Sequence, residues 1–129
     1  LPEGTPLKTP VLEYDYKNDE LGDPLLNRYH IMVLDIARVH ELDEIEHIAF
    51  STNQIMMNLL RSKNVTLVDF KLEFGRDERD KIVLADEISP DNCRFWDMAT
   101  GEKLDKDRFR LDMGNVEEAY KEILTRVTA

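Results

Sequence analysis

The feature that most constrains this chain is a change of hydrophobic period at its centre. From Asp43 to Lys63 the positions Ile45, Ile48, Ala49, Thr52, Ile55, Met56, Leu59 and Leu60 recur three and four apart. That spacing draws one stripe along a helix. Asp43 with Glu46 reads as a capping pair at its start, and Asn64 as a left-handed stop at its end. From Thr66 to Gly75 the period becomes two, with Val68, Phe70, Leu72 and Phe74 alternating with Asp69, Lys71 and Glu73. A charged turn over Arg76 to Lys81 leads to a second strand, Ile82 to Glu87. A helix followed at once by an antiparallel hairpin predicts an α+β fold with helices packed on the hairpin.

The flanks are less regular. Pro2, Pro6 and Pro10 bias residues 1–12 towards an extended linker. Glu13 to Lys17 reads as a short strand, Asn18 to Pro24 as turns, and Leu25 to Val39 equally well as helix or strand. Residues 88–114 read mostly as loop, with a helical turn at Asp105 to Arg110. Asn115 is placed to cap a last helix with the stripe Val116, Ala119, Tyr120, Ile123, Leu124 and Val127, and Glu118 at its third position. The domain reading is therefore a linker, 1–12, entering one α+β domain, 13–129. A chain that opens on Leu1 and a proline-rich linker fits a trimmed N-terminus or the C-terminal piece of a longer protein.

Charge narrows the partners. The 27 acidic and 17 basic residues give a net −10, shared equally by the two halves. Such a surface repels nucleic-acid polymers and anionic lipid. The longest aliphatic runs, Ile31 to Leu34 and Ile82 to Ala85, are far below the roughly 20 residues that span a bilayer. One cysteine, Cys93, fits a reducing cytoplasm. Beside Arg94 it could have a lowered pKa, but no histidine lies near it in sequence and it reads as structural. His40 and His47, seven apart, read as polar surface positions rather than a zinc pair. The five glycines are never closer than 13 residues, so no phosphate-cradling glycine loop can be written on this chain.

The hairpin is where chemistry can gather. With a turn at 76–81, Glu73 falls near Leu84 and Lys71 near Asp86, which puts Lys71, Glu73 and Asp86 on one charged face. Two carboxylates and an ammonium suit Mg²⁺ with an anionic ligand; they equally suit a solvated face with ordinary ion pairs. Downstream, Arg94, Lys103, Lys106, Arg108 and Arg110 place five cations against four acids, the one locally positive stretch of any length. Arginine there can grip phosphate or carboxylate with paired donors, or simply bridge to Asp105 and Asp107.

At these residues the chain resembles the SAICAR synthetase family of purine biosynthesis. Leu67-Val68-Asp69-Phe70-Lys71-Leu72-Glu73-Phe74-Gly75 is similar to one family signature. Leu84 to Asp91 with Arg94-Phe95-Trp96-Asp97, Asp105 to Arg110, and Tyr16-Lys17-Asn18-Asp19 with Gly22-Asp23-Pro24 are similar to three others. Order and spacing agree over nearly the whole chain. The family's glycine- and lysine-containing loop over ATP, and its arginine motif for the nucleotide substrate, have no counterpart here. The resemblance therefore implies the C-terminal half of a two-domain ATP-dependent ligase, inactive alone.

That resemblance implies joining of L-aspartate to carboxyaminoimidazole ribonucleotide through an acyl phosphate, with ATP and Mg²⁺ required. It implies Glu73 and Asp86 on the magnesium side, Glu73 also near the ATP ribose, and Lys17 near the nucleotide. Lys71, Arg94 and Arg110 would hold the substrate's carboxylate or phosphate, and Lys71 joins Glu73 and Asp86 as the catalytic set. Asp23, Asp69, Lys106 and Ser89 are further candidates for which a structural role is the alternative. Self-association into a homo-oligomer is compatible with all of this. Two other readings stay open: a different Mg-dependent small-molecule phosphoryl transferase, and a non-enzymatic acidic interaction module.

Overall fold

The early prolines lead into irregular backbone that ends in a two-residue ladder. A computed structural model describes residues 1–129 as two compact units, Leu1–Phe50 and Ser51–Ala129. In the first unit β1 (Tyr14–Asp15) pairs antiparallel with β2 (Leu25–Leu26), Tyr14 opposite Leu26. Between them lies a 3-10 turn, Asp19–Leu21, capped by the Asn18 side chain and ended by Gly22 at φ +68°, a conformation that glycine adopts without steric cost.

The ambiguous stretch after Pro24 resolves into β2 and a short helix, α1 (Arg28–Val33). Asn27 sets its start: its Oδ1 accepts from the His30 N–H at 3.0 Å, and His30 Nδ1 accepts from the Asn27 N–H at 3.2 Å. The long helix α2 (Val39–Ser62) begins four residues before the predicted capping pair. Glu41 caps it, accepting from the Arg38 N–H at 2.8 Å. Asp43 and Glu46 serve a different end, since both accept from Arg28, and Glu46 also accepts from the Tyr14 hydroxyl at 2.7 Å. Ile31, Leu42 and Ala49 are the buried apolar residues of this unit.

In the second unit the end of α2 stops at Asn64, φ +57°. Four strands follow: β3 (Val65–Phe70), β4 (Glu73–Arg76), β5 (Ile82–Ala85) and β6 (Cys93–Asp97). β4 pairs antiparallel with β5, as the hairpin reading requires, but β3 pairs antiparallel with β6. The predicted single strand from Thr66 to Gly75 is therefore two strands with different partners, and the predicted loop at 88–114 contains β6. After β6 come a single turn of helix, α3 (Asp107–Arg110), and α4 (Val116–Thr128). Asn115 precedes α4 in a left-handed conformation, φ +55°, and its side chain makes no cap bond. The acids Glu117 and Glu118 in the first turn complement the helix dipole instead.

A bulge explains why the simple alternation failed. Leu67 faces Phe95 and Asp69 faces Arg94, so Val68 is an extra residue on β3. Val65 and Leu67 point inward before the bulge and Phe70 after it, while Val68 is exposed. The core joins Met56 and Leu60 of α2, Val65 of β3, Cys93 and Phe95 of β6, Leu104, and Ala119 and Ile123 of α4. Ile55, Leu59 and Leu124, predicted in the apolar stripes, lie at the surface. No helix is long and apolar enough to cross a membrane.

Candidate active site

The hairpin register differs by one residue from the sequence expectation. Glu73 faces Ala85 and Phe74 faces Leu84, so Lys71 is not opposite Asp86. The Lys71 N–H instead donates to the Asn92 carbonyl at 2.8 Å, which ties the end of β3 to the loop before β6. Lys71 Nζ lies 3.2 Å from Glu73 Oε1. Asp86 directly follows Ala85, and there the strand ends in a left-handed turn, φ +67°. Pleat alternation therefore does not set the direction of Asp86, as the one-face expectation assumed. A non-glycine residue in that region is sterically costly.

The donor set bears on magnesium. No group of three or more His, Cys, Asp or Glu side chains that could hold a metal ion occurs in the chain. Mg²⁺ commonly takes one or two protein carboxylates and completes its shell with water and phosphate oxygens. Glu73 and Asp86, on neighbouring strand ends, are chemically suited to that smaller share.

The two arginines expected to grip an anion meet around one carboxylate. Arg94 Nε donates to Asp107 Oδ2 at 2.8 Å, and Arg110 Nη1 donates to Asp107 Oδ1 at 3.0 Å. Arg94 Nη1 also donates to Asp69 Oδ2 at 2.6 Å, a pairing that exists because the β3 bulge sets Asp69 opposite Arg94. Burial acts to raise the Asp107 pKa, but the bonds from Arg94 and Arg110 outweigh it and hold the carboxyl below its ordinary range. Asp105, fully buried, accepts from the Phe95 and Asp107 N–H groups at 2.8 Å each. Burial pushes its pKa up against those bonds. Neither aspartate stood among the sequence candidates. Their signal was their place between Lys103 and Arg110, where they looked like ordinary salt-bridge partners.

The connecting loop is built around Asn92 and Ser89. Asn92 Oδ1 accepts from the Ser89 N–H at 3.0 Å, its Nδ2 donates to the Glu87 carbonyl at 2.5 Å, and Ser89 Oγ accepts from the Asp91 N–H at 3.1 Å. Ser89 thus has a structural task. Arg110 Nη2 donates to the Asp91 carbonyl at 3.0 Å, and the Lys106 N–H to the Pro90 carbonyl at 2.9 Å. Lys17 and Asp23 lie in the first unit, where Asp23 Oδ1 accepts from the Asn18 N–H at 2.8 Å. A groove of about 360 Å³ lined by Leu104, Arg108, Glu118 and Arg126, and another of about 420 Å³ lined by Tyr14, Leu25 and Arg28, contain none of the candidates.

The SAICAR synthetase family model matches residues 1–127. The chain belongs to the SAICAR synthetase family. Among curated relatives, the phosphoribosylaminoimidazole-succinocarboxamide synthase of Caldanaerobacter subterraneus is 61% identical over 127 residues, 98% of this chain and 54% of the relative. That of Brevibacillus brevis is 59% identical over 125 residues, 97% of this chain and 52% of the relative. A solved SAICAR synthetase (Type-2) in complex with ADP superposes with a TM-score of 0.94 at 56% identity, covering 99% of this chain and 55% of that one. The chain spans about half the length of the curated relatives it matches.

Proposed function

We propose that this chain carries the C-terminal part of an ATP- and Mg²⁺-dependent ligase that joins L-aspartate to carboxyaminoimidazole ribonucleotide. The observation that carries the reading is the pairing of two features on one unit: carboxylates at the β4 and β5 ends, and Arg94 and Arg110 gathered on Asp107. The likeness to an ADP-bound SAICAR synthetase supports the nucleotide.

The chemistry asks for such an arrangement. A carboxylate resists attack by an amine until one oxygen becomes a good leaving group. Transfer of the ATP γ-phosphoryl group to that oxygen gives an acyl phosphate and ADP. The aspartate amino group then attacks the acyl carbon, the C–O bond to phosphate breaks, and the amide and inorganic phosphate leave. Glu73 and Asp86 would hold Mg²⁺, which offsets the negative charge collected during the transfer. Lys71, Arg94 and Arg110 bind the ribonucleotide's phosphate or carboxylate through charge-assisted donors, with Asp69 and Asp23 as further contacts. Lys17 approaches the nucleotide. The phosphate-cradling loop that this chain lacks would come from the remaining length seen in the relatives, with residues 1–12 leading from it into a domain at 13–129. A biosynthetic role of this kind fits the cytoplasm.

The experiment is a three-substrate assay on the intact protein with Glu73→Ala and Asp86→Ala. Loss of amide formation in both variants supports the ligase site. Full activity in both would favour the interaction-module reading.

A further inference from the structure

We infer that Asp107 is a positioning residue for substrate binding: it fixes the guanidinium groups of Arg94 and Arg110 in the orientation in which they meet an anionic group of the ribonucleotide. The inference rests on the ligase reading, which makes those arginines the substrate's anion grip.

The geometry separates two kinds of partner. Arg94 is held by two carboxylates, but the Asp69 side chain is 55% exposed and that of Asp107 only 8%. The exposed partner exchanges readily with water or an incoming anion, and an ion pair in that setting contributes little. The buried one cannot be released without leaving a carboxylate unpaired away from water, which is costly. Asp107 spends one oxygen on Arg94 Nε and the other on Arg110 Nη1. Two cations from different elements, β6 and α3, are thereby locked to one anion, while Arg94 Nη1 is engaged only by the exposed Asp69, a partner that an incoming anion can displace. Asp107 is itself held, since its N–H donates to the buried Asp105 carboxylate at 2.8 Å. Asp105 also accepts from Phe95, the β6 residue next to Arg94. The chain of bonds runs from strand to buried carboxylate to helix turn and back to the arginine. Arginine side chains carry large rotamer freedom, and holding two of them beforehand removes an ordering cost from binding.

The test is steady-state kinetics of the intact protein, with wild type, Asp107→Asn and Arg94→Ala compared at varied ribonucleotide and varied ATP. Asp107→Asn is expected to raise KM for the ribonucleotide about tenfold, the size of one lost charge-assisted bond, with KM for ATP within about twofold. A merely structural aspartate would lower the fraction of active enzyme, and so kcat, with both KM values unchanged. That result, alongside a raised ribonucleotide KM in Arg94→Ala, overturns the inference and leaves the ligase reading standing. An unchanged ribonucleotide KM in Arg94→Ala overturns the inference together with the place of Arg94 in the anion grip, while amide formation still upholds the ligase reading. A second measurement needs no variant: the Arg94 Nε–H of the wild-type protein should exchange with solvent at least tenfold more slowly than exposed guanidinium N–H groups, with or without ribonucleotide. Exchange at the exposed rate in either state overturns the inference.

Discussion

Cys93 packs with Phe95 and Leu104 in the core of the second unit, and burial pushes its thiol pKa up to about 11 despite a backbone hydrogen bond involving Ser89. At pH 8 only about a thousandth of it is thiolate, the reactive form. A thiol-specific reagent should therefore label the native protein at least a hundredfold more slowly than the denatured protein, and equal rates would refute the burial. The structural reading of Cys93 agrees with this, and Arg94, the neighbour able to lower its pKa, is engaged by Asp69 and Asp107. Glu73→Ala and Asp86→Ala should each lower turnover of the ligase by ~10²–10³, the usual worth of one well-placed electrostatic contact, measured as amide formed per mole of folded enzyme. At this scale the identities of the charged residues were legible as motifs. The partnership of Arg94 with Asp69 was not, because it depends on an extra residue, Val68, that no alternation pattern distinguishes from its neighbours.

The elements around β6 rest on the turn that follows it. Asp97 Oδ1 accepts from the Ala99 and Thr100 N–H groups at 2.9 and 2.7 Å, and its Oδ2 accepts from Arg126 Nη2 of α4 at 2.6 Å. The Arg126 bond, followed by those from Thr100, lowers the Asp97 pKa to about 2. A carboxyl that titrates lower in the folded state stabilises it fully above the unfolded value of about 3.9, and that share is lost as pH falls towards 2. Melting temperature should thus be insensitive to this group above about pH 5 and fall between pH 4 and 2. Asp97→Asn should flatten that fall and lower the melting temperature at neutral pH. Phe95, buried opposite Leu67, should cost about 3–5 kcal/mol on truncation to Ala, read from chemical denaturation. The long helix, the helix from Val116 and the hairpin turn were legible because each has a period or a break of its own, although α2 starts at Val39 rather than Asp43 and Arg76 pairs with Ile82 inside the ladder rather than opening the turn. β6 was not: five residues alternating Cys93, Arg94, Phe95, Trp96, Asp97 carry a weak period, and their partner lies more than 20 residues upstream. Long-range pairing leaves no local trace.

For the whole molecule, net charge −10 and the proposed nucleotide substrate are reconciled by locality. Repulsion of polyanions is a property of the full surface, whereas in the proposed ligase a small phosphate ligand would meet Arg94, Arg110 and Lys71 within one unit. The family and the α+β class were legible from the ordered motifs. The measurement that tests the central claim most directly is product analysis of the intact protein given ATP, Mg²⁺ and carboxyaminoimidazole ribonucleotide, with and without L-aspartate. The ligase account predicts the succinocarboxamide, ADP and inorganic phosphate in equal amounts when aspartate is present, and no stable phosphorylated ribonucleotide when it is omitted. A stable phosphorylated product without aspartate, or no amide with it, would contradict the account.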